Sequence, residues 1–393
     1  MRSGAVFNFF VPTKIMFGRG QVKNLHNCIL PGKKAFIVIT SGKSTRENGY
    51  LNLVEQELKL AHVDYVVYDK VASNPVVENI MDGAKMAKEH HCDFVVGLGG
   101  GSPIDASKAI AMMATNEGEL WDYMGAGNGK GLPVKEKPLP VIAITTTAGT
   151  GSEADSAFVV SNEETNEKIG MYLPELFPII SIVDPELMTT VPPKFTAFQG
   201  FDALFHSTEG YISNKAHKMS DMVSITAIEV IGQNLAAAVN NGNDLEAREN
   251  VALGSTLSGI QLAIGSLTSA HSLEHAMSAY HQNLPHGAGL ILISVAYYKR
   301  FVEAPELRER YIKMAKAMGM EGASEPMDFI IALENLINDC GLADLSMQDF
   351  GIDQDEFEIF AKNAKFTMGS KFLNDYVTLS ENDCVEIFKE SFH

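Results

Sequence analysis

Thiols are scarce in this chain. Its 393 residues include four cysteines, Cys28, Cys92, Cys340 and Cys384, far apart and without a C-x-x-C spacing. That pattern argues against a disulfide framework and a thiolate metal site, and leaves buried free thiols as the expectation. Positive charge is also short: 31 Lys and Arg stand against 49 Asp and Glu, a formal net charge of -18. Nothing offsets the repulsion such a chain meets from phosphates or an anionic lipid surface, so neither nucleic acid nor membrane is expected as a partner. A small-molecule partner fits better. No stretch of about 18 uninterrupted apolar residues occurs, and the opening M-R-S-G-A-V-F-N-F-F lacks a basic segment leading into a long apolar run. A cytoplasmic protein is therefore expected. Internal repeats, low-complexity tracts and heptad runs are absent as well.

What is present exceeds one ordinary core, and the length predicts about two domains with a cleft between them. The first half alternates β-rich runs (Ala35 to Thr40, Val63 to Tyr68, Asp93 to Gly97, Leu139 to Thr145) with helical patterns (Leu51 to Leu60, Val77 to His91). Such alternation predicts a mostly parallel α/β sheet of the Rossmann-like kind. After Asp184-Pro185 the β-rich runs end and long helical patterns follow, from His217 to Ala238, Leu245 to Ala263, Ala288 to Phe301, Pro305 to Met318, Met327 to Asp339 and Asp355 to Ala361. The expected division is a nucleotide-binding domain over 1–185 and an all-helical domain over 186–393.

Two loops of the first half bear on nucleotide binding. In G-L-G-G-G-S-P-I-D (Gly97 to Asp105), Gly99, Gly100 and Gly101 bare the backbone N–H groups where a strand gives way to a helix near Ser102. A phosphate can approach there, aided by the helix dipole. A tight turn with close helix packing accounts for the same glycines. In T-T-T-A-G-T-G-S-E (Thr145 to Glu153), the hydroxyls of Thr146, Thr147, Thr150 and Ser152 could donate to a pyrophosphate or carboxamide, although such residues are also ordinary turn formers. Two such loops at the carboxyl ends of neighbouring strands favour a nucleotide.

The second half carries a histidine constellation. His271 and His275 in A-H-S-L-E-H, and Asp202 and His206 in G-F-D-A-L-F-H, are each spaced i, i+4, which puts both members of a pair on one helix face, about 40° apart. His286 follows Pro285, which ends a helix and lets the chain turn back. One carboxylate and three or four imidazoles on two short helices could bind a divalent transition metal without thiolate. His62, His90, His91 and His217 read as ordinary core or surface histidines.

Taken with P-T-K-I-M-F-G-R-G (Pro12 to Gly20), Asn74-Pro75, D-P-E-L (Asp184 to Leu187) and A-K-F-T-M-G (Ala364 to Gly369), these motifs resemble, in order and over essentially the whole length, the iron-containing (group III) alcohol dehydrogenase family. The resemblance implies a dehydroquinate synthase-like architecture, Fe²⁺ (with Zn²⁺ possible as purified) on Asp202, His206, His271 and His286, and His275 near the nicotinamide in a proton relay. It implies NAD(P)(H) held by Gly42, Lys43, Asn74, Gly99, Gly100, Gly101, Ser102, Asp105, Thr146, Thr147, Thr150 and Ser152, and a small alcohol or aldehyde as substrate. NAD-preferring members tend to carry Asp after the first sheet strand, where this chain has Gly42, with Lys43, Ser44 and Arg46 following. A lean toward NADP(H) follows. The segment between His275 and His286 looks about one residue longer than in some members, leaving His281 as a spare, solvent-facing imidazole. Val6 to Val11 is expected as a strand able to pair across a homodimer. A lyase or synthase of the dehydroquinate synthase type would need Lys and Arg around the metal, and Gln199 to Gly210 and Ser266 to Gly289 contain none. A metallohydrolase would show no change in nicotinamide absorbance.

Overall fold

The computed structural model describes residues 6–392, which form two compact units, residues 11–190 and residues 191–392 with 6–10. Strands β1 (Lys14–Phe17), β2 (Lys34–Thr40), β3 (Asp64–Val71), β4 (Phe94–Gly99), β5 (Val141–Thr145), β6 (Ala157–Asn162), β7 (Glu167–Tyr172) and β8 (Ile180–Val183) all belong to the first unit. So do helices α1 (Ser44–Glu47), α2 (Tyr50–Leu60), α3 (Val77–Glu89), α4 (Gly101–Met113) and α5 (Leu120–Tyr123). Six strands make one parallel sheet in the order β1-β8-β5-β4-β2-β3, and β6 and β7 make an antiparallel hairpin.

Successive side chains leave a strand on opposite faces, so a strand covered on both sides needs a continuous apolar run. Strand β2 shows the result. Phe36 and Val38 share a core cluster with Ile80 and Ala84 of α3 and Ile110 of α4, whereas Ile37 and Ile39 share another with Leu51, Val54 and Leu58 of α2. The chain runs from β2 to β3 on one side and then crosses to β4 on the other. That reversal makes the carboxyl ends of β2 and β4 the crevice where open α/β sheets bind nucleotides.

The second unit is helical: α6 (Pro193–Ile212), α7 (Lys218–Asn240), α8 (Leu245–Ile264), α9 (Ala270–Tyr280), α10 (His286–Lys299), α11 (Arg308–Ala317), α12 (Met327–Asp339), α13 (Phe357–Met368) and α14 (Glu381–Glu390). Helix α6 is its centre, buried at every residue from Thr196 to Ile212 except Gln199. It packs on α7, α8 and α10, while α9 packs on α10 and α13. His217 caps α7 by accepting a hydrogen bond from Ser220 N at its ring nitrogen. His62 and His91 end turns at φ 55° and 52°, and the four cysteines are free.

Within the single chain, residues 6–13 form no strand, and the first backbone pairing is that of Lys14 with Ile180 of β8. Phe7 instead stacks on His217, ring centroids 4.5 Å apart.

Candidate functional site

Three helices, rather than two short ones, bring the metal candidates together. Asp202 and His206 lie one turn apart on α6, His271 in the first turn of α9, and His286 at the first position of α10. Pro285 caps α10 in an extended conformation and so starts the helix at His286. Gly287 lets that start approach α6: a Cβ there would stand 2.0 Å from the Phe198 carbonyl oxygen. The consequence is convergence. Nε2 of His286, His271 and His206 lie 3.4, 3.5 and 3.6 Å from Asp202 Oδ1. Ligand atoms about 2.1 Å from one ion stand about 3.4 Å apart at the corners of a tetrahedron, so these spacings fit a metal. Asp202, His271 and His286 form one set with ligand atoms within 4.8 Å of one another, and Glu274, His275 and His286 form a second that shares His286, while the His206 ring stacks on that of His271 at 4.4 Å.

Electrostatics ask for a cation at the same point. Asp202 Oδ1 and His271 Nε2 are buried without a hydrogen-bond partner, a costly state for a carboxylate oxygen. Two further buried carboxylates stand behind the imidazoles: Glu209 binds His271 Nδ1, and Glu274 binds His286 Nδ1. Burial would lower the His271 pKa, yet the Glu209 and Asp202 carboxylates push it up to about 10. Burial would likewise raise Asp202, but His206, His286 and His271 outweigh it and hold the carboxyl well below its usual range.

Glu209 and Glu274 are what sequence reasoning missed. Each sits beside a candidate ligand, Glu209 three residues after His206 and Glu274 immediately before His275, but a carboxylate at such spacing ordinarily faces water. A carboxylate on Nδ1 fixes ring orientation and leaves Nε2 for the ion. His275 is buried, its ring centroid 5.3 Å from that of His286 and 6.4 Å from that of His271. His281 does not face solvent freely: its side chain is 13% exposed and its Nε2 lies 2.9 Å from Glu356 Oε1.

In the other unit, the cofactor candidates stand at carboxyl ends of adjacent strands: Gly42 and Lys43 after β2, Asn74 after β3, Gly99 to Ser102 at the end of β4, and Thr146 to Thr150 after β5. The last two loops interlock. Thr146 N donates to the Gly99 carbonyl at 2.9 Å, and a Cβ on Gly101 would stand 2.4 Å from Thr150 Cγ2. Close packing thus requires glycine at 101. Asp105 and Ser152 bind each other at 2.5 Å; Asp105 also accepts from Val159 N. Buried Lys108, which the sequence did not single out, donates to Ser152 and Asp155. Burial raises Asp105 to about 6 despite Lys108. The Ser102 hydroxyl bonds to the Ser73 carbonyl.

Comparison with known proteins bears on both units. Residues 12–185 match the family model described as iron-containing alcohol dehydrogenase, and residues 196–392 match the C-terminal model of the Fe-containing alcohol dehydrogenase family. The chain is 34% identical to 1,3-propanediol dehydrogenase of Citrobacter freundii, over 98% of this chain and 99% of that one. It is 32% identical to the NAD-dependent methanol dehydrogenase of Bacillus methanolicus, over 91% and 93%. Among solved structures, an archaeal halo-thermophilic Red Sea brine pool alcohol dehydrogenase superposes with a TM-score of 0.94, at 32% identity and full coverage of both chains.

Proposed function

Because the chain belongs to the iron-containing alcohol dehydrogenase family, an oxidoreductase family acting on alcohols, we propose that it transfers a hydride between NAD(P)(H) and a small primary alcohol/aldehyde pair. A divalent ion, Fe²⁺ in the first place, would be held by Asp202, His206, His271 and His286. The observation that carries this is the approach of three imidazole Nε2 atoms to within 3.4–3.6 Å of one buried carboxylate oxygen. When bound, the ion supplies Lewis acidity toward an alcohol or carbonyl oxygen, and the nicotinamide supplies the hydride acceptor or donor.

The protein's own residues orient and move protons. Glu209 and Glu274 hold His271 and His286 at Nδ1, so that neither ring can rotate its Nε2 away from Asp202. His275 takes the hydroxyl proton during oxidation and returns it during reduction, in keeping with its place beside the His271 and His286 rings. Gly99 to Gly101 and Thr146 to Thr150 would hold the dinucleotide phosphates through backbone N–H groups and hydroxyls. Gly42 and Lys43 would lie at the adenosine ribose, and NADP(H) would be the favoured cofactor because no carboxylate stands at position 42. We place the enzyme in the cytoplasm as a homodimer or larger homo-oligomer.

The test is a panel of aldehydes and primary alcohols, followed by nicotinamide absorbance with NADH, NADPH and their oxidised forms on anaerobically Fe²⁺-loaded protein. Substrate-dependent absorbance change is expected with short aldehydes. No change with any alcohol or aldehyde would sink the reading in favour of a hydrolase or lyase.

A further inference from the structure

The pocket at the carboxyl end of β2 contains an acid that belongs to no motif. Ser41, Gly42, Lys43, Arg46, Glu47 and Asp69 line a surface pocket of about 210 Å³. Asp69 comes from β3, and its Oδ2 accepts from Arg46 Nη2 at 2.6 Å. Two cations thus share this pocket with two anions. One cation is already engaged.

This matters because a nucleotide whose phosphates rest on the β4 turn extends its adenosine ribose toward the end of β2. Gly42 offers no acid there, although one would fit: a Cβ on Gly42 meets only Thr40 Oγ1, at 3.6 Å. Arg46, whose planar fork suits a phosphate, is instead held by Asp69. The pair is about half exposed at both ends, so it is weak and open to exchange. A ribose 2′-phosphate would have to displace Asp69 from Arg46 and then sit beside the freed carboxylate. A 2′-hydroxyl meets neither obstacle.

We infer that Asp69 is a specificity-determining residue that holds Arg46 back from a 2′-phosphate and so narrows the preference between NADPH and NADH. The inference rests on the nucleotide reading of this unit and deepens it. Because the Arg46–Asp69 pair is solvent-exposed, its removal should act modestly and through charge. Asp69→Asn should tighten NADPH about three- to tenfold while leaving NADH within about twofold, with the gain shrinking as salt rises. In Asp69→Asn, removing Arg46 should cost NADPH more than it does in the parent.

Equilibrium titrations of the full-length protein with NADPH and NADH, followed by nicotinamide fluorescence in the absence of substrate, separate binding from turnover. Competition by adenosine 2′,5′-bisphosphate against AMP isolates the adenosine end. Selective tightening of the 2′-phosphorylated ligands in Asp69→Asn, lost again in Asp69→Asn/Arg46→Ala, is the expected result. Equal changes for both dinucleotides, or none, overturn the role of Asp69 while leaving the nucleotide site in place. A parent protein that binds neither dinucleotide overturns the nucleotide reading and this inference with it.

Discussion

Glu209 of α6 binds Nδ1 of His271 on α9, and that bond turns His271 Nε2 toward Asp202 Oδ1, 3.5 Å away. Two helices are thereby locked at the one point where the ion would sit. Thr268 fixes the other Glu209 oxygen at 3.1 Å, so the carboxylate itself is held.

Removing that lock should weaken the metal rather than the fold around it. Glu209→Ala leaves the buried His271 Nδ1 without its acceptor and frees the ring to rotate, and loss of such a partner lowers metal affinity about 10- to 100-fold. Competition against a chelator of known affinity measures it. The same loss is expected for Glu274→Ala through His286. Unchanged affinity in both variants would show that the imidazoles are oriented by packing alone.

His271 and His275 share a helix face, and the proposed site gives them different roles. His271→Ala removes one of four ligands, so metal and turnover are lost together. His275→Ala keeps the metal and lowers the rate by roughly 10²- to 10⁴-fold, the range for a group that transfers a proton. Metal analysis of both purified variants decides. Equal metal loss would make His275 a ligand, an arrangement its proximity to Glu274 and His286 could support.

Cofactor preference should follow charge near Gly42. One charge-assisted hydrogen bond contributes roughly 1.5 to 3 kcal/mol, which supports a 10- to 100-fold preference for NADPH in kcat/KM; the engaged state of Arg46 places the expectation at the lower end. Gly42→Asp should reverse it toward NADH, and the space around Gly42 admits the side chain. A parent enzyme favouring NADH by about tenfold or more contradicts this.

Stability should also depend on pH through Asp375. Burial raises its carboxyl to about 7, although Ser269 donates to it from both backbone and hydroxyl. An unfolded Asp titrates near pH 4, so the folded state binds more protons between about pH 4 and 7. Stability from this group is therefore full below pH 4 and is lost as pH rises toward 7 and just beyond. Thermal unfolding of metal-free Asp375→Asn across that range should show a flatter decline than the parent, whereas parallel curves would assign the dependence elsewhere.

Much of this architecture is legible in the residues. The apolar run at Ala35 to Thr40 and the periodic pattern at Met327 to Asp339 name β2 and α12 almost to the residue, because hydrophobic periodicity is the direct imprint of which faces are covered. Strands β1 and β8 escape notice since four-residue runs such as K-I-M-F and I-S-I-V carry too little pattern. The β6–β7 hairpin escapes because its turn, E-E-T-N, uses Asn166 at φ 51° rather than glycine to reach the left-handed region. In the site, i, i+4 spacing marks Asp202, His206, His271 and His275, but spacing says nothing of burial. Glu209 and Glu274 became visible only once α6 and α9 were seen to be interior helices, and Asp69 only once β3 was seen to lie beside β2.

The central claim is that a divalent ion on Asp202, His206, His271 and His286 is needed for alcohol oxidation by this chain. Its most direct test strips the protein with a chelator under anaerobic conditions, refills it with Fe²⁺ or Zn²⁺, and follows alcohol-dependent reduction of NAD(P)⁺ against bound metal. The affinity order places Zn²⁺ above Fe²⁺ for nitrogen and oxygen ligands, so protein purified in air should contain much zinc. The account predicts no turnover in the stripped protein and recovery in proportion to about one Fe²⁺ per chain, with Fe²⁺ exceeding Zn²⁺ in rate. A more active zinc form would overturn the choice of iron, and full turnover by metal-free protein would contradict the account at its centre.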